Sequence, residues 1–347
     1  MGFKLEKQKV EALFAELEKQ YRIFAPKRFF RQGRYSDTDL VRYAEIKTFD
    51  EIEFSGKSDY PTKEVTGPIQ QSLFFFTEDE YRESKYSEKP ILVFAHPCDI
   101  HAQQIQAAIY AGNGGYTDYY YDRIHKLLKF VLMECPKDDD TCFCASLGTN
   151  KTDDYALALK VMDDGSVKFK VQDKDLEPYF KDAVTEDFEP EFVESNTTKI
   201  VIPEIPNKEV LNKLKAHPMW EEYNKRCISC GACTLACSTC TCFSTKDIIY
   251  GDNPEVGERR RVSSSCEIAD YTLVAGGGSY RKTAGERMRF KMLHKFHDYQ
   301  VRFKDRQMCV GCGRCINRCP QLISITATLA KMYKAVDEIK SGKEAAR

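Results

Sequence analysis

Two runs of cysteine share one spacing: Cys227, Cys230, Cys233 and Cys237 form the first, Cys309, Cys312, Cys315 and Cys319 the second, and each reads Cys-x2-Cys-x2-Cys-x3-Cys. Three thiolates on one tight loop reach three irons of a [4Fe-4S] cubane, while the fourth, carried onto the following helix, points away and serves the other cluster. The spacing therefore assigns Cys227, Cys230, Cys233 and Cys319 to cluster 1, and Cys309, Cys312, Cys315 and Cys237 to cluster 2. Gly231, Gly311 and Gly313 suit loops that need special dihedrals and backbone N–H groups aimed at sulfur. Zinc knuckles also use Cys-x2-Cys, but four ligands per ion leave the regular eight-cysteine pattern without a reason. Ser238 stands where Pro usually follows the fourth cysteine, as Pro320 follows Cys319; neither residue is a ligand.

Seven cysteines remain. Cys98 follows one apolar run and Cys135 ends another, so neighbouring strands bring both to one sheet edge beside the Cys142-Phe143-Cys144 loop. Four thiols there suit a third [4Fe-4S] cluster; the plainer alternative is cysteine as a small buried residue. Cys240, Cys242 and Cys266 are one short of a cubane and are alternative ligands, sharing one with the N-terminal set. His96 and His101 flank Cys98 and could ligate or tune a cluster, although a lone His is more often structural. No catalytic nucleophile or acid–base constellation stands out, and Asp138-Asp139-Asp140 reads as a solvated loop.

The elements that must position these thiols are partly legible. Residues 5–20 have an amphipathic helical pattern, Ser72–Phe76 is a short apolar run, Pro90–Ala95 and Leu127–Cys135 read as buried strands, and Asp99–Gly112 reads as the helix between them. A hairpin follows around Asp164-Gly165, then a strand over 198–203, a charged helix from Asn207 toward Lys225, and a last helix near Ser324–Ser341 with a Ser N-cap. The expected fold class is α+β / α/β: an N-terminal α/β domain over 1–205, then a mostly helical, split bacterial-type 2[4Fe-4S] ferredoxin domain over 206–347 with a long insertion at 240–308. That insertion carries Arg259-Arg260-Arg261 and the basic stretch Arg281–Lys295, read either as a solvated charged face or as a docking surface for an acidic partner.

Composition excludes several classes. Lys+Arg 52 against Asp+Glu 53 leaves a net charge of -1, so no overall field draws the chain to nucleic acid or an anionic membrane. No signal peptide, membrane span or myristoylation pattern is expected, since the first residues are charged every few positions and position 6 is Glu. Fifteen closely spaced cysteines suit metal chelation in a reducing, cytoplasmic and anaerobic setting rather than a disulfide framework. Gly112-Asn113-Gly114-Gly115 and Gly276-Gly277-Gly278 both miss the dinucleotide fingerprint, which leaves nucleotide chemistry to a partner.

CISCGAC and STCTC, SSCEIADYTLVAGGGSYR, His294-Lys295 and CVGCGRCINRCP, with RIFAPKRFFRQGRYSDTDLVRY, AHPCDIHA and CFCASLGTNKTD nearer the N-terminus, together resemble the iron–sulfur electron-transfer subunit of anaerobic sulfite reductase. The likeness runs along nearly the whole chain. The sulfhydrogenase beta subunit is a more distant resemblance, with a similar cysteine layout. The first likeness implies an oxidoreductase complex in which this chain relays single electrons from a flavin/NAD-binding subunit to the sirohaem subunit, where sulfite is reduced to sulfide. The second implies an iron–sulfur relay in a hydrogenase complex. His96-Pro97 and Ser238 depart from the family pattern without touching a ligand. Hydride pairs from NADH must be split into single electrons, which one-electron clusters do. N–H···S bonds, burial and the charges of Arg226, Arg314 and Arg318 are the expected levers on potential. Two further alternatives are a chain that binds sirohaem itself and an assembly scaffold with purely structural clusters.

Overall fold

Uninterrupted apolar runs make the centre of the molecule. The computed structural model describes residues 1–342. Its strands are β1 (Gly2–Leu5), β2 (Arg22–Phe29), β3 (Leu40–Glu45), β4 (Gln70–Phe76), β5 (Tyr81–Glu83), β6 (Ile91–Ala95), β7 (Leu128–Met133), β8 (Leu157–Val161), β9 (Val167–Val171), β10 (Val184–Thr185), β11 (Phe243–Ile249) and β12 (Gly257–Ser263). Eight form one sheet in the order β10-β1-β9-β8-β7-β6-β2-β3. Its middle, β2, β6, β7 and β8, is parallel, and the flanking pairs are antiparallel. The fold is thus mixed α+β, with helices on both faces of the large sheet.

Alternation along β6 and β7 decides what each face meets. Leu92, Phe94 and Val131 face the helix Lys7–Gln20, which buries Val10, Phe14 and Leu17 against them. Ala95 and Leu132 face the helix Pro97–Tyr110 through Ile100. The far side of that second helix packs Ala102 and Ile105 against Tyr299, Met308 and Val310. One helix is therefore sandwiched between the sheet and the cysteine-rich C-terminal part, and each such fully buried aliphatic side chain stabilises by about 1.5–3 kcal/mol.

The C-terminal part packs Leu214, Trp220, Tyr223, Met292, Leu329 and Met332 into its own core. Its helices include Ala284–Leu293, opened by a Thr283/Glu286 capping box, and Ile325–Lys340, capped by Ser324 as expected. A wide π turn, His294–Asp298, continues the first of these into the helix Tyr299–Phe303.

Several expectations need correction. The start of the chain is a strand, so the first helix begins at Lys7; β1 pairs β9 and β10 and closes the sheet. Residues 198–203 form no strand, because Ile200 and Ile202 turn into the helical core instead of pairing. The helix from Asn207 stops at Ala216, since Pro218 cannot continue it, and resumes only as Glu222–Arg226. The insertion is not mostly helical: β11 and β12 form a hairpin that joins β4 and β5 in a four-stranded sheet, order β11-β12-β4-β5. That sheet unites residues from either side of position 205.

Candidate metal centre

The first cysteine run lies on a loop that only a left-handed residue can close. Gly231 has φ 75°, and Ser229, also left-handed, is held by Arg287, whose Nη2 donates to Ser229 Oγ at 2.7 Å. Cys227, Cys230, Cys233 and Cys319 line one cavity, with Cys315, Glu267 and Lys291 also in its wall. Among the described residues no three His, Cys, Asp or Glu side chains stand close enough to hold a single metal ion, so an occupant of this cavity must be a larger body. A cubane meets that requirement: its ligands spread around a cluster core, and the thiols here surround an open space rather than a point. Ile323 N also donates to Cys319 Sγ at 3.3 Å, an N–H···S contact of the kind such centres use.

The second run repeats the loop with Gly311 and Gly313 at φ 67° and 69°. Cys237, Cys309 and Cys312 all stand close enough to Cys315 to act on its charge, and Gly311 N donates to Cys309 Sγ at 3.5 Å. Cys319 lies near enough to Cys233, and Cys237 to Cys315, for their charges to act on one another. Burial pushes Cys309 up to about 12 and raises Cys227, Cys233 and Cys315 as well. Buried thiols of this kind ionise when iron supplies the opposing charge.

A second loop is pressed onto this one. Phe143 N donates to Gly311 O at 2.8 Å and Thr149 Oγ1 to Val310 O at 2.7 Å. A Cβ at Gly311 would lie 2.6 Å from Cys144 N, and one at Gly313 would lie 2.4 Å from Thr141 O, so both glycines are required by close approach as well as by dihedral. Lys57 staples the joint, its Nζ donating to Cys312 O at 3.0 Å and to Asp139 Oδ1 at 2.9 Å. β6 and β7 are parallel neighbours, so Cys98 and Cys135 emerge at the same sheet edge. Cys135 lies near Cys142 and Cys144, and Cys98 near Cys144 and Cys312; burial pushes Cys135 up to about 12 and Cys144 up to about 11.

Under the joint lies a buried ion pair. Arg314, 1% exposed, donates to both Asp99 carboxylate oxygens at 2.8 and 2.7 Å, to Ser238 Oγ at 3.0 Å and to Ser58 O at 2.9 Å. Ser238, the departure from the usual Pro, thus has a definite place. Arg314 touches the residue after Cys98 and adjoins Cys315, so it locks the N-terminal thiols to the second run. It brings no free charge to a cluster, because Asp99 compensates it. Arg318 likewise pairs with Asp59, and Arg226 with Glu222 at the surface.

Cys240, Cys242 and Cys266 stand with one another and with Cys237 of the first run. Cys240 sits against Cys237, and Cys242 is held down to about 6 by the adjoining Cys266 thiol, with the Cys240 carbonyl accepting from Lys63 Nζ at 3.3 Å. His101 is structural: Nε2 lies 2.9 Å from Lys151 O, and Nδ1 accepts from Arg306. His96 is buried, and burial lowers its pKa. The Asp138-Asp139-Asp140 segment exposes Asp139 and Asp140 to solvent as expected, and is also pinned, Asp138 accepting from Asn196 and from Thr197 N, and Asp139 from Lys57.

The basic stretch Arg281–Lys295 is the largest departure from expectation. Arg287, Lys291 and Lys295 are 4%, 5% and 3% exposed, so this face is turned into the protein and cannot dock a partner. Their spacing of four, each followed by an apolar residue that is also buried (Met288, Met292, Phe296), was the available signal. Arg259, Arg260 and Arg261 are paired with Asp247, Glu258 and Asp118 on the small sheet.

These loops and the cavity they line define an iron–sulfur protein, and the 4Fe-4S dicluster domain pattern matches residues 226–323, both cysteine runs included. The chain accordingly takes two [4Fe-4S] clusters. Along its full length it is related to the beta subunit of sulfhydrogenase 2 from Pyrococcus furiosus, being 29% identical over 357 aligned residues that cover 98% of either chain. No solved structure matches it. No helix among the described residues is long and apolar enough to cross a membrane.

Proposed function

We propose that this chain is the iron–sulfur relay of a sulfhydrogenase-type hydrogenase complex, passing single electrons in the cytoplasm between the subunit that splits hydrogen and the subunit that holds flavin and nicotinamide. The full-length similarity to a sulfhydrogenase beta subunit is the observation behind this reading and favours it over the sulfite reductase expected from the sequence signatures. In it, Cys227, Cys230, Cys233 and Cys319 hold one cluster, Cys309, Cys312, Cys315 and Cys237 the next, and Cys98, Cys135, Cys142 and Cys144 a third. The cavity that the first four thiols line supports the first assignment. The contacts of Phe143 and Thr149 with the second loop support a third centre within electron-transfer reach of the second. Bound clusters would supply the one-electron chemistry; the chain would fix their spacing and shield the second from water more than the first.

Anaerobic purification with native partners tests the reading. The expected result is about twelve irons per chain, a matching amount of acid-labile sulfide, and nickel in one of the co-purifying partners. Sirohaem absorption in the partner without nickel would return the sulfite reductase reading. Cys319→Ser should remove the EPR signal of one cluster and leave the others, and loss of two signals would overturn the ligand assignment.

A further inference from the structure

The first cysteine run is bordered by a long loop that is pinned to it at both ends. At one end Ile268 packs against Gly231, where an added Cβ would lie 3.3 Å from the Ile268 side chain. At the other, Arg287 Nη1 donates to Arg281 O at 3.2 Å and to Lys282 O at 3.3 Å, while its Nη2 holds Ser229 Oγ. Between the pins a bridge from Leu273 to Ser279 closes a tip that carries Gly276, Gly277 and Gly278. The loop turns apolar side chains to solvent, with Leu273, Val274 and Tyr280 at 53%, 45% and 80% exposed. Ile228 and Gln321 line the cavity of the same run, and Leu322, next to Gln321, is 79% exposed. Leu322 has φ 52°, a left-handed conformation that disfavours any residue with a Cβ, yet its side chain stands in solvent. Single exposed apolar residues are ordinary, but a group of them set around one ligand loop marks a contact surface.

The same border is positively charged. Its three segments, residues 225–230, 268–282 and 317–322, hold Lys225, Arg226, Arg281, Lys282 and Arg318 against Asp270 alone. Asp59 offsets Arg318, and Glu222, which faces Arg226, is shared with Lys331. We propose that this border is the docking surface for a redox subunit of the complex, one that presents an apolar centre ringed by carboxylates over its own one-electron group. The inference rests on the relay reading above. A second copy of this chain fits badly, because it would bring the same positive rim. Cys230 is exposed within the border, so the occupant's group meets the first cluster from this side. One electron leaves the donor group and enters the cluster, or the reverse, and no bond changes. The inner face of the helix Ala284–Leu293 takes no part, since Arg287 and Lys291 are turned into the protein.

The test compares Leu322→Glu, Val274→Glu and Lys282→Glu with Val184→Glu, a residue 65% exposed on β10 at the edge of the large sheet. Each complex is purified anaerobically with its native partners, its iron and EPR signals are checked, and loss of the redox subunit on dilution is followed by mass photometry. Leu322→Glu and Val274→Glu should each weaken retention of that subunit at least about tenfold with the cluster signals intact. Lys282→Glu should have a smaller effect that high salt erases, and Val184→Glu should behave as wild type. Iron-replete Leu322→Glu and Val274→Glu complexes that hold the subunit like wild type would overturn the proposal. So would equal weakening by Val184→Glu, or variants that lose only self-association of this chain. If Leu322→Glu loses iron through its nearness to Cys319, Val274→Glu decides alone. A wild-type complex without cluster signals would sink the relay reading itself, a result distinct from intact signals with unchanged retention.

Discussion

The two cysteine runs are the same sentence written in two places, and their surroundings differ sharply. The first run faces outward: Cys230 is exposed, and Ile228 in the same loop is 58% exposed. The second is buried under the N-terminal loop, with Cys312 at 9% and Arg314 at 1%. A shared motif therefore says how a cluster is gripped and nothing about its role in a relay. The open run suits an exchange point with a partner, and the enclosed run suits an internal junction toward Cys98, Cys135, Cys142 and Cys144.

The comparison can be broken at matched positions. Arg314→Met leaves the Asp99 carboxylate buried and unpaired, which should cost about 3–5 kcal/mol and strip iron from the second run and the N-terminal set. Arg226→Met beside the first run removes only a surface pair and should cost less than about 1 kcal/mol. Thermal unfolding of the two variants, with iron analysis, reads the difference; similar costs would mean the runs are not unequal. Gly311→Ala and Gly231→Ala each put a side chain into a left-handed position at about 1–2 kcal/mol. Only Gly311→Ala also drives a Cβ into backbone, 2.6 Å from Cys144 N, whereas at Gly231 the nearest atom is the Ser265 Cβ at 2.9 Å. Gly311→Ala should therefore lower the melting temperature further and weaken the proposed third centre first.

Lys57→Met sharpens the contrast at smaller scale. It removes charged hydrogen bonds across the joint worth about 1.5–3 kcal/mol each before relaxation, and amide exchange in residues 139–144 should quicken while the first run is unaffected. The smallest effect should come from mild iron chelation. About four irons are expected to leave in an early phase, with the EPR signal of the open cluster disappearing first; simultaneous loss of all signals would contradict the difference in exposure.

How much of this was readable in advance depends on the range of the cause. The β6 and β7 strands and the helix between them follow from local runs, and the dicluster domain from the fixed spacing of the two runs, so they were legible. Residues 198–203 carry the same alternation as a strand, but pairing depends on a neighbour the sequence does not name. The Asp99–Arg314 pair joins residues 215 apart, and neither has a local reason to be buried. Lys291 and Lys295 were misjudged because charge usually means solvent, and buried lysine survives only where anions surround it, a fact about the thiols rather than the lysines.

The small sheet has a consequence for how the chain is made. β4 finds β5 within a few residues, but its other edge pairs β12, where Phe76 meets Gly257, roughly 180 residues later. At ordinary translation rates of about 5–20 residues per second, that edge waits about 10–40 s on the ribosome with no strand to cover it. During the wait Phe74, Phe75 and Phe76 present the kind of open, aromatic border that invites pairing with another nascent chain. Heterologous expression should consequently fail by aggregation before it fails by lack of iron, and slowing initiation or supplying a holdase should raise the yield more than added cysteine and iron salts.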